Sequence, residues 1–169
     1  MTRTIIPEPL TADAFKPFGD VIEASADARQ MSINYGNTTR FHDLAGIDVT
    51  GKGGRAGVSI FRSTPLAQPI TIKIMEYHPL SSQAFVPLYG RPYLVVVAPA
   101  GDFDASAIRV FIVRGGKGVN YHAGTWHHFS LALESVSDFL VIDRLAEEDG
   151  GDNCVEHELS EAEQITIQL

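Results

Sequence analysis

Between Glu76 and His127, two short segments carry the side chains best suited to bind an ion or move a proton. The first, MEYHPLSSQAFVPLYG, reads Glu76-x-His78, then Gln83, then Gly90. The second, GGKGVNYHAGTWHHF, reads Gly116, His122-x-Gly124, then His127. Imidazole, carboxylate and amide oxygen are the N and O donors that hold divalent ions such as Ni²⁺, Mn²⁺ or Zn²⁺. Glu76, His78, Gln83 and His127 are therefore the candidate metal ligands. Without an ion, the same groups would bind a small polar substrate and transfer its protons, with Glu76, His78 and His127 as the catalytic groups. The residue types leave both readings open. Gln83 is a neutral, weak ligand, so any ion should be held less tightly than by three histidines.

Such side chains need strands to aim them. Val58–Arg62, Ile70–His78, Tyr93–Ala98, Ile108–Val113, His127–Leu133 and Asp138–Asp143 are short, rich in β-branched residues and bounded by turns, which predicts strands. Gly- and Pro-rich breaks separate them, at 51–57, 65–69, 79–82, 99–104 and 115–118. Helix signals are few. Thr11 caps a predicted short helix ending near Pro17, and Ser160-Glu-Ala-Glu163 has the capping-box pattern. Many short strands at this spacing predict a sandwich or barrel in one domain spanning residues 1–169.

Strand alternation predicts which residues share a face. Ile70, Ile72, Ile74, Glu76 and His78 form a stripe, apolar until its end. Val58, Ile60 and Arg62 form another. A charged group ending an apolar face is costly unless paired, so the stripe ends suggest a lined cavity. Arg62 is the candidate for gripping a carboxylate bidentately, and a salt bridge is its alternative role. On that assignment, Arg62→Ala raises KM far more than Arg62→Lys. Glu76 beside an apolar wall is expected to have a raised pKa and to act as the acid. Tyr121 and Trp126 are placed at the mouth of the site as substrate contacts, or in a subunit interface. His122 and His128 are placed outside the cavity. Cys154 has no activating motif and reads as a passive thiol.

Composition bounds the function. At 169 residues with 44% hydrophobic and 20% charged residues, the chain is in the globular range. No apolar run reaches membrane-helix length, and the amino terminus lacks a signal-peptide pattern. The single cysteine fits a reducing compartment, so a cytoplasmic location is expected. All 13 Lys and Arg lie at or before Arg144, whereas eight acids and no Lys or Arg fall in residues 145–169. This acidic tail predicts a solvated face, and nothing in the chain offers the basic stripe that nucleic acid needs.

The two segments follow the two-motif spacing of the cupin superfamily in a degenerate form. Glu76 stands where the first histidine would be, and Gln83 replaces the carboxylate. Beyond them, SINYGNTTRFHDL (32–44), HPLSSQAFVPL (78–88), GVNYHAGTWHH (118–128), DFLVIDR (138–144) and GDNC (151–154) resemble the ureidoglycolate lyase family. The resemblance covers about Phe15 to Cys154. It implies a cupin-like jelly-roll barrel with a few short helices, a homodimer, and carbon–nitrogen cleavage of ureidoglycolate to glyoxylate and urea in allantoin breakdown. It also suggests Ni²⁺ as a cofactor. Two alternatives share the pocket: another metal-dependent cupin enzyme acting on a small hydroxy acid, and a non-catalytic module that binds one.

Overall fold

The computed structural model describes residues 3–147 and 152–169. The amino-terminal strands are β1 (Arg3–Ile5), β2 (Glu8–Pro9), β3 (Gly19–Ile22), β4 (Gln30–Ile33) and β5 (Thr38–Phe41). The central strands are β6 (Arg55–Ser63), β7 (Ile70–Ile72), β8 (Ile74–Tyr77), β9 (Gln83–Pro87), β10 (Tyr93–Ala98) and β11 (Arg109–Val113). They are followed by β12 (Gly118–Tyr121), β13 (Trp126–His127), β14 (Leu131–Ala132), β15 (Ser137–Leu145), β16 (Val155–Glu158) and β17 (Ile165–Ile167). The one α-helix among the described residues, α1 (Ala12–Phe15), starts where the Thr11 hydroxyl accepts from the Ala14 N–H at 3.2 Å, as the sequence predicts. No helix among the described residues is long and apolar enough to cross a membrane.

Two sheets form the barrel. One runs β16-β8-β13-β10-β11-β2, with β14 also on β10; the other runs β3-β12-β9-β15-β6. From β8 onward the chain passes repeatedly between them: β9 leaves for the second sheet, β10 and β11 return, and β12, β13, β15 and β16 then alternate. That winding is a double-stranded β-helix of the cupin type, mainly β as the sequence predicts.

Alternation along the strands builds the interior. Val95, Val97, Phe111 and Val113 from one sheet meet Phe85, Val119, Tyr121, Phe139 and Val141 from the other in a single buried cluster. Burying each such large apolar side chain contributes roughly 1.5–3 kcal/mol relative to exposing it. A second cluster, with Leu94, Val96, Trp126 and Met75, lies on the opposite face of the first sheet. The small sheet β1-β17-β7 contributes Ile70, Ile72, Ile165 and Ile167 to it. The two signature glycines, Gly90 and Gly116, turn the chain with φ of 63° and 76° and lie against each other. Glycine reaches that left-handed region without the Cβ clash other residues suffer.

Three expectations are corrected here. The predicted strand Ile70–His78 is interrupted at Lys73, whose carbonyl accepts the Leu159 N–H at 2.8 Å. Ile70 and Ile72 therefore belong to a different sheet from Glu76, and the continuous stripe does not exist. The segment 127–133 likewise breaks, with β13 and β14 separated by an irregular stretch. The described acids of the carboxy-terminal segment are exposed or half-buried, on a stretch held by sheet pairing: β16 pairs with β8, and β17 pairs with β7 and β1. The capping-box residues Ser160 and Glu163 close a turn, in which the Ser160 N–H and hydroxyl donate to Glu163 Oε2 at 2.8 and 2.7 Å. Two of the tail's acids, Glu148 and Asp149, lie outside the described residues.

Candidate active site

Strand register brings two rows of side chains face to face at one end of the barrel. On the first sheet, His127 of β13 pairs with Glu76 of β8 on one side and Val97 of β10 on the other. On the second sheet, Tyr121 of β12 pairs with Gln83 of β9. The β9–β15 register (Phe139 with Pro87, Val141 with Phe85) brings Asp143 alongside Gln83. The rows meet where the Tyr121 ring stacks on His127, with centroids 4.3 Å apart and planes 9° apart. His78, just past the end of β8, reaches across to Gln83 Oε1 at 3.2 Å.

Hydrogen bonds fix the tautomers of both imidazoles. His127 Nδ1 lies 2.9 Å from the Thr125 carbonyl, and His78 Nδ1 lies 2.6 Å from the Asn153 carbonyl. A carbonyl oxygen only accepts, so each Nδ1 carries the hydrogen and each Nε2 is left to point into the cluster. His127 Nε2 is buried and has no hydrogen-bond partner among the described residues. It stands 3.5 Å from Glu76 Oε1, a charge contact without hydrogen-bond geometry. The Gln83 amide is oriented by its Nε2, which donates to Asp143 Oδ2 at 3.4 Å. Its Oε1 then faces His78 Nε2, acceptor against acceptor unless a proton or a cation lies between them.

Glu76, His78 and His127 offer ligand atoms that all lie within 4.8 Å of one another. An orphaned buried imidazole nitrogen, a second Nε2 facing an amide oxygen, and a carboxylate beside both are the donor set of a divalent-ion site. The carbonyls behind each Nδ1 fix the rings in the orientation such a site uses. These residues fit the group.

The electrostatics reverse one expectation. Contact with His127 pulls the Glu76 carboxyl below its ordinary range; partial burial opposes this, and the neighbouring imidazoles lower it further. The raised pKa expected of Glu76 is thus reversed in direction, which favours its ionised form. His128 is pushed down to about 4, chiefly by burial, and is a neutral imidazole. Burial and the charges of Glu76 and Glu156 push the Cys154 thiol up to about 11, so it is a passive thiol at neutral pH.

A cavity of about 220 Å³ opens beside the cluster, lined by His78, Ser81, Gln83, Asp143, Arg144, Asp152, Asn153 and Cys154. A hollow of about 230 Å³ shares Glu76 and His127 and adds His128 and Glu156. A larger one of about 420 Å³ lies away from the cluster, lined by Val21, Arg29 and His42 among others.

Not every candidate comes to this cavity. Arg62 does not line it. Its stripe is on the open side of β6, an edge strand, with Val58 and Ile60 69% and 53% exposed. The guanidinium is bound bidentately by Asp138, opposite it in register, at 2.7 and 2.9 Å. Arg62→Ala is accordingly expected to leave both kcat and KM unchanged in steady-state assays. Trp126 is on the opposite face of β13 from His127, donating to the Gly101 carbonyl at 2.9 Å and packed on Tyr77 and Phe103. Side chains one residue apart on a strand point to opposite faces, and Trp126 took the outer one. Tyr121 lies beneath His127 with 5% of its surface exposed. His122 pairs with Asp20 at 3.1 Å, outside the cavity.

Several cavity residues are not among the candidates that spacing and alternation single out. Asp143 ends the buried stripe Phe139-Val141-Asp143, the same pattern that had pointed to Arg62. Arg144 bonds the Gly51 and Lys52 carbonyls at 2.8 and 3.3 Å, bringing an arginine to the rim. Asn153 is in a loop with no periodicity to read. Its side chain nonetheless accepts the Leu80 N–H at 2.8 Å and donates to Ser81 at 2.9 Å, fastening the loop over His78.

The fold is a double-stranded β-helix of the cupin type, with imidazole, carboxylate and amide groups converging at its mouth. Similar solved structures include a dTDP sugar isomerase from Desulfovibrio desulfuricans (TM-score 0.47, 13% identity, covering 86% of this chain and 87% of that one). The chain belongs to the ureidoglycolate lyase family, whose model matches residues 2–167. A ureidoglycolate lyase of Burkholderia mallei is 55% identical over 97% of this chain and 94% of its own length. One from Pseudomonas syringae pv. tomato is 49% identical over 98% and 95%.

Proposed function

We propose that this chain cleaves ureidoglycolate to glyoxylate and urea as a single catalytic domain. The observation that carries the reading is the pair of imidazoles whose Nε2 atoms converge, with ionised Glu76, beside a small polar cavity. Ureidoglycolate has one carbon bearing a hydroxyl, a carboxylate and a ureido nitrogen. Its collapse needs a base for the hydroxyl proton and an acid for the departing nitrogen.

His78 is suited to both steps because its Nε2 borders the cavity and its Nδ1 hydrogen is fixed on the Asn153 carbonyl. Nε2 takes the hydroxyl proton, the O–H pair becomes the second C–O bond of glyoxylate, and the C–N pair leaves with nitrogen. The same proton then returns from Nε2 to that nitrogen, giving neutral urea. Glu76 and the buried His127 support the transient imidazolium by charge and orientation. Glu76, His78, His127 and Gln83 Oε1 would hold a divalent ion such as Ni²⁺. Bound there, the ion supplies Lewis-acid lowering of the hydroxyl pKa in place of the imidazole base.

The reading extends to a cytoplasmic homodimer. The apolar residues on the open side of edge strand β6, Val58 and Ile60, support self-association, and the single cysteine suits a reducing compartment. Purified protein given ureidoglycolate is expected to release urea and glyoxylate in equal amounts. The substrate decays on its own, so rates are taken over an enzyme-free control. Release of ammonia in place of urea would mean hydrolysis of the ureido group and would overturn the proposal.

A further inference from the structure

We infer that Asp143 is the residue that recognises the ureido end of the substrate, and so sets the direction in which the substrate lies in the cavity. The inference rests on the ureidoglycolate reading and names a contact within that site.

Asp143 is near the end of β15, a strand whose inward stripe begins with the fully buried Phe139 and Val141. Its carboxylate lines the cavity that holds His78. Oδ2 receives one long bond, from Gln83 Nε2 at 3.4 Å. Oδ1 is closed off from solvent and meets no donor among the described residues. Leaving a buried acceptor unsatisfied is expensive, and more so when it is charged. The cost is recovered when a ligand brings N–H donors into the cavity. The terminal torsion of an aspartate is soft, so a turn of the carboxylate delivers the unpartnered oxygen to such a donor.

Charge decides which donor it is. Ureidoglycolate has an anionic carboxylate at one end and a neutral –NH–CO–NH₂ group at the other. The carboxylate cannot lie against Asp143 without like-charge repulsion, and Asp152 lines the same cavity. The ureido group offers neutral N–H donors to the oxygen that the turn delivers. Such charge-assisted bonds are the strong kind. With the ureido group on Asp143, the carbinol carbon and carboxylate are directed toward His78 and the arginine rim. Gln83 couples the two ends, bonded through its amide nitrogen to Asp143 and facing His78 through its oxygen.

The test compares two stable α-keto monoanions that differ in the ureido group: oxalurate, which has it, and pyruvate, which has a methyl in its place. Isothermal titration of the protein is expected to show oxalurate bound more tightly than pyruvate by the wild type. In Asp143→Ala that preference should shrink by about tenfold to a hundredfold, with pyruvate affinity not reduced. The near-isosteric Asp143→Asn, which keeps the volume if the alanine variant fails to fold, should also lose the preference. A preference unchanged in either folded variant overturns the inference, as does a wild type that binds both ligands equally. A parallel fall in pyruvate affinity would mark a collapsed cavity and overturns it too. Urea release by the wild type is scored separately, so an active enzyme whose preference ignores Asp143 sinks this assignment while leaving the lyase reading intact.

Discussion

His78→Ala is expected to lower kcat for ureidoglycolate by about 10²–10⁴, the range that one positioned acid–base group contributes. His78 is the imidazole that lines the cavity, its Nδ1 held by the Asn153 carbonyl and its Nε2 left as a proton acceptor facing Gln83 Oε1. His127→Ala should cause a comparable loss by another route, because its Nε2 faces Glu76 from a site 1% exposed. If an ion is present, metal content measured on the purified variants should fall in both, since each supplies one ligand atom of the three-residue cluster. Near-normal turnover in both variants would remove the cluster from the mechanism. An acid limb should accompany these effects. Glu76 is held below its usual range by His127, so its stabilising charge is present at neutral pH and is lost as pH falls through that lowered value. The part of the limb that Glu76 sets should therefore lie at lower pH than an ordinary glutamate would give. Removing His127 should bring the limb back toward the normal carboxylate range, which a pH–rate profile of His127→Gln would show.

The position of this cluster was legible in the sequence because it rests on spacing. Glu76 and His127 are opposite each other in register, and Gln83 opposite Tyr121, so the two segments locate one mouth of one barrel. Stripe arguments fared less well, and the reason is physical. Alternation says which residues share a face but not which face is inside. Val58-Ile60-Arg62 and Phe139-Val141-Asp143 are the same pattern, on neighbouring antiparallel strands. Phe139 lies opposite Phe61 and Leu140 opposite Ile60, so the second stripe is on the face turned to the core and the first is on the other face, which is open. The packing of one sheet on the other, a long-range property, separates Asp143 from Arg62. Trp126 was lost to the same ambiguity, one residue from His127 and on the other face. The raised pKa expected of Glu76 followed from an apolar wall that the break at Lys73 removes. What surrounds Glu76 instead is imidazole. The loop at Asn153 had no periodic signal at all, since its role is carried by a backbone carbonyl.

The same topology makes Phe139 the residue whose truncation should cost most in stability. Its ring is fully buried, packed edge-on against Tyr93 at 5.1 Å and Phe85 at 6.3 Å, where the two sheets meet. Phe139→Ala removes those contacts and leaves a cavity that rigid β-strands fill poorly, so a loss of about 3–5 kcal/mol is expected. That is a large part of the roughly 5–15 kcal/mol that separates a typical folded domain from its unfolded chain. Guanidinium chloride is the appropriate denaturant, because urea is the proposed product and would occupy the site. A shift in midpoint with unchanged slope would identify lost packing, whereas a loss under about 1 kcal/mol would mean that β15 is not held by the core as the contacts indicate. Function should register the change as well. Phe139 and Val141 anchor the strand that delivers Asp143 opposite Gln83, so loosening the anchor should raise KM while the folded fraction keeps most of its kcat. His78 is reached through β8 and the Asn153 loop, and neither depends on that ring.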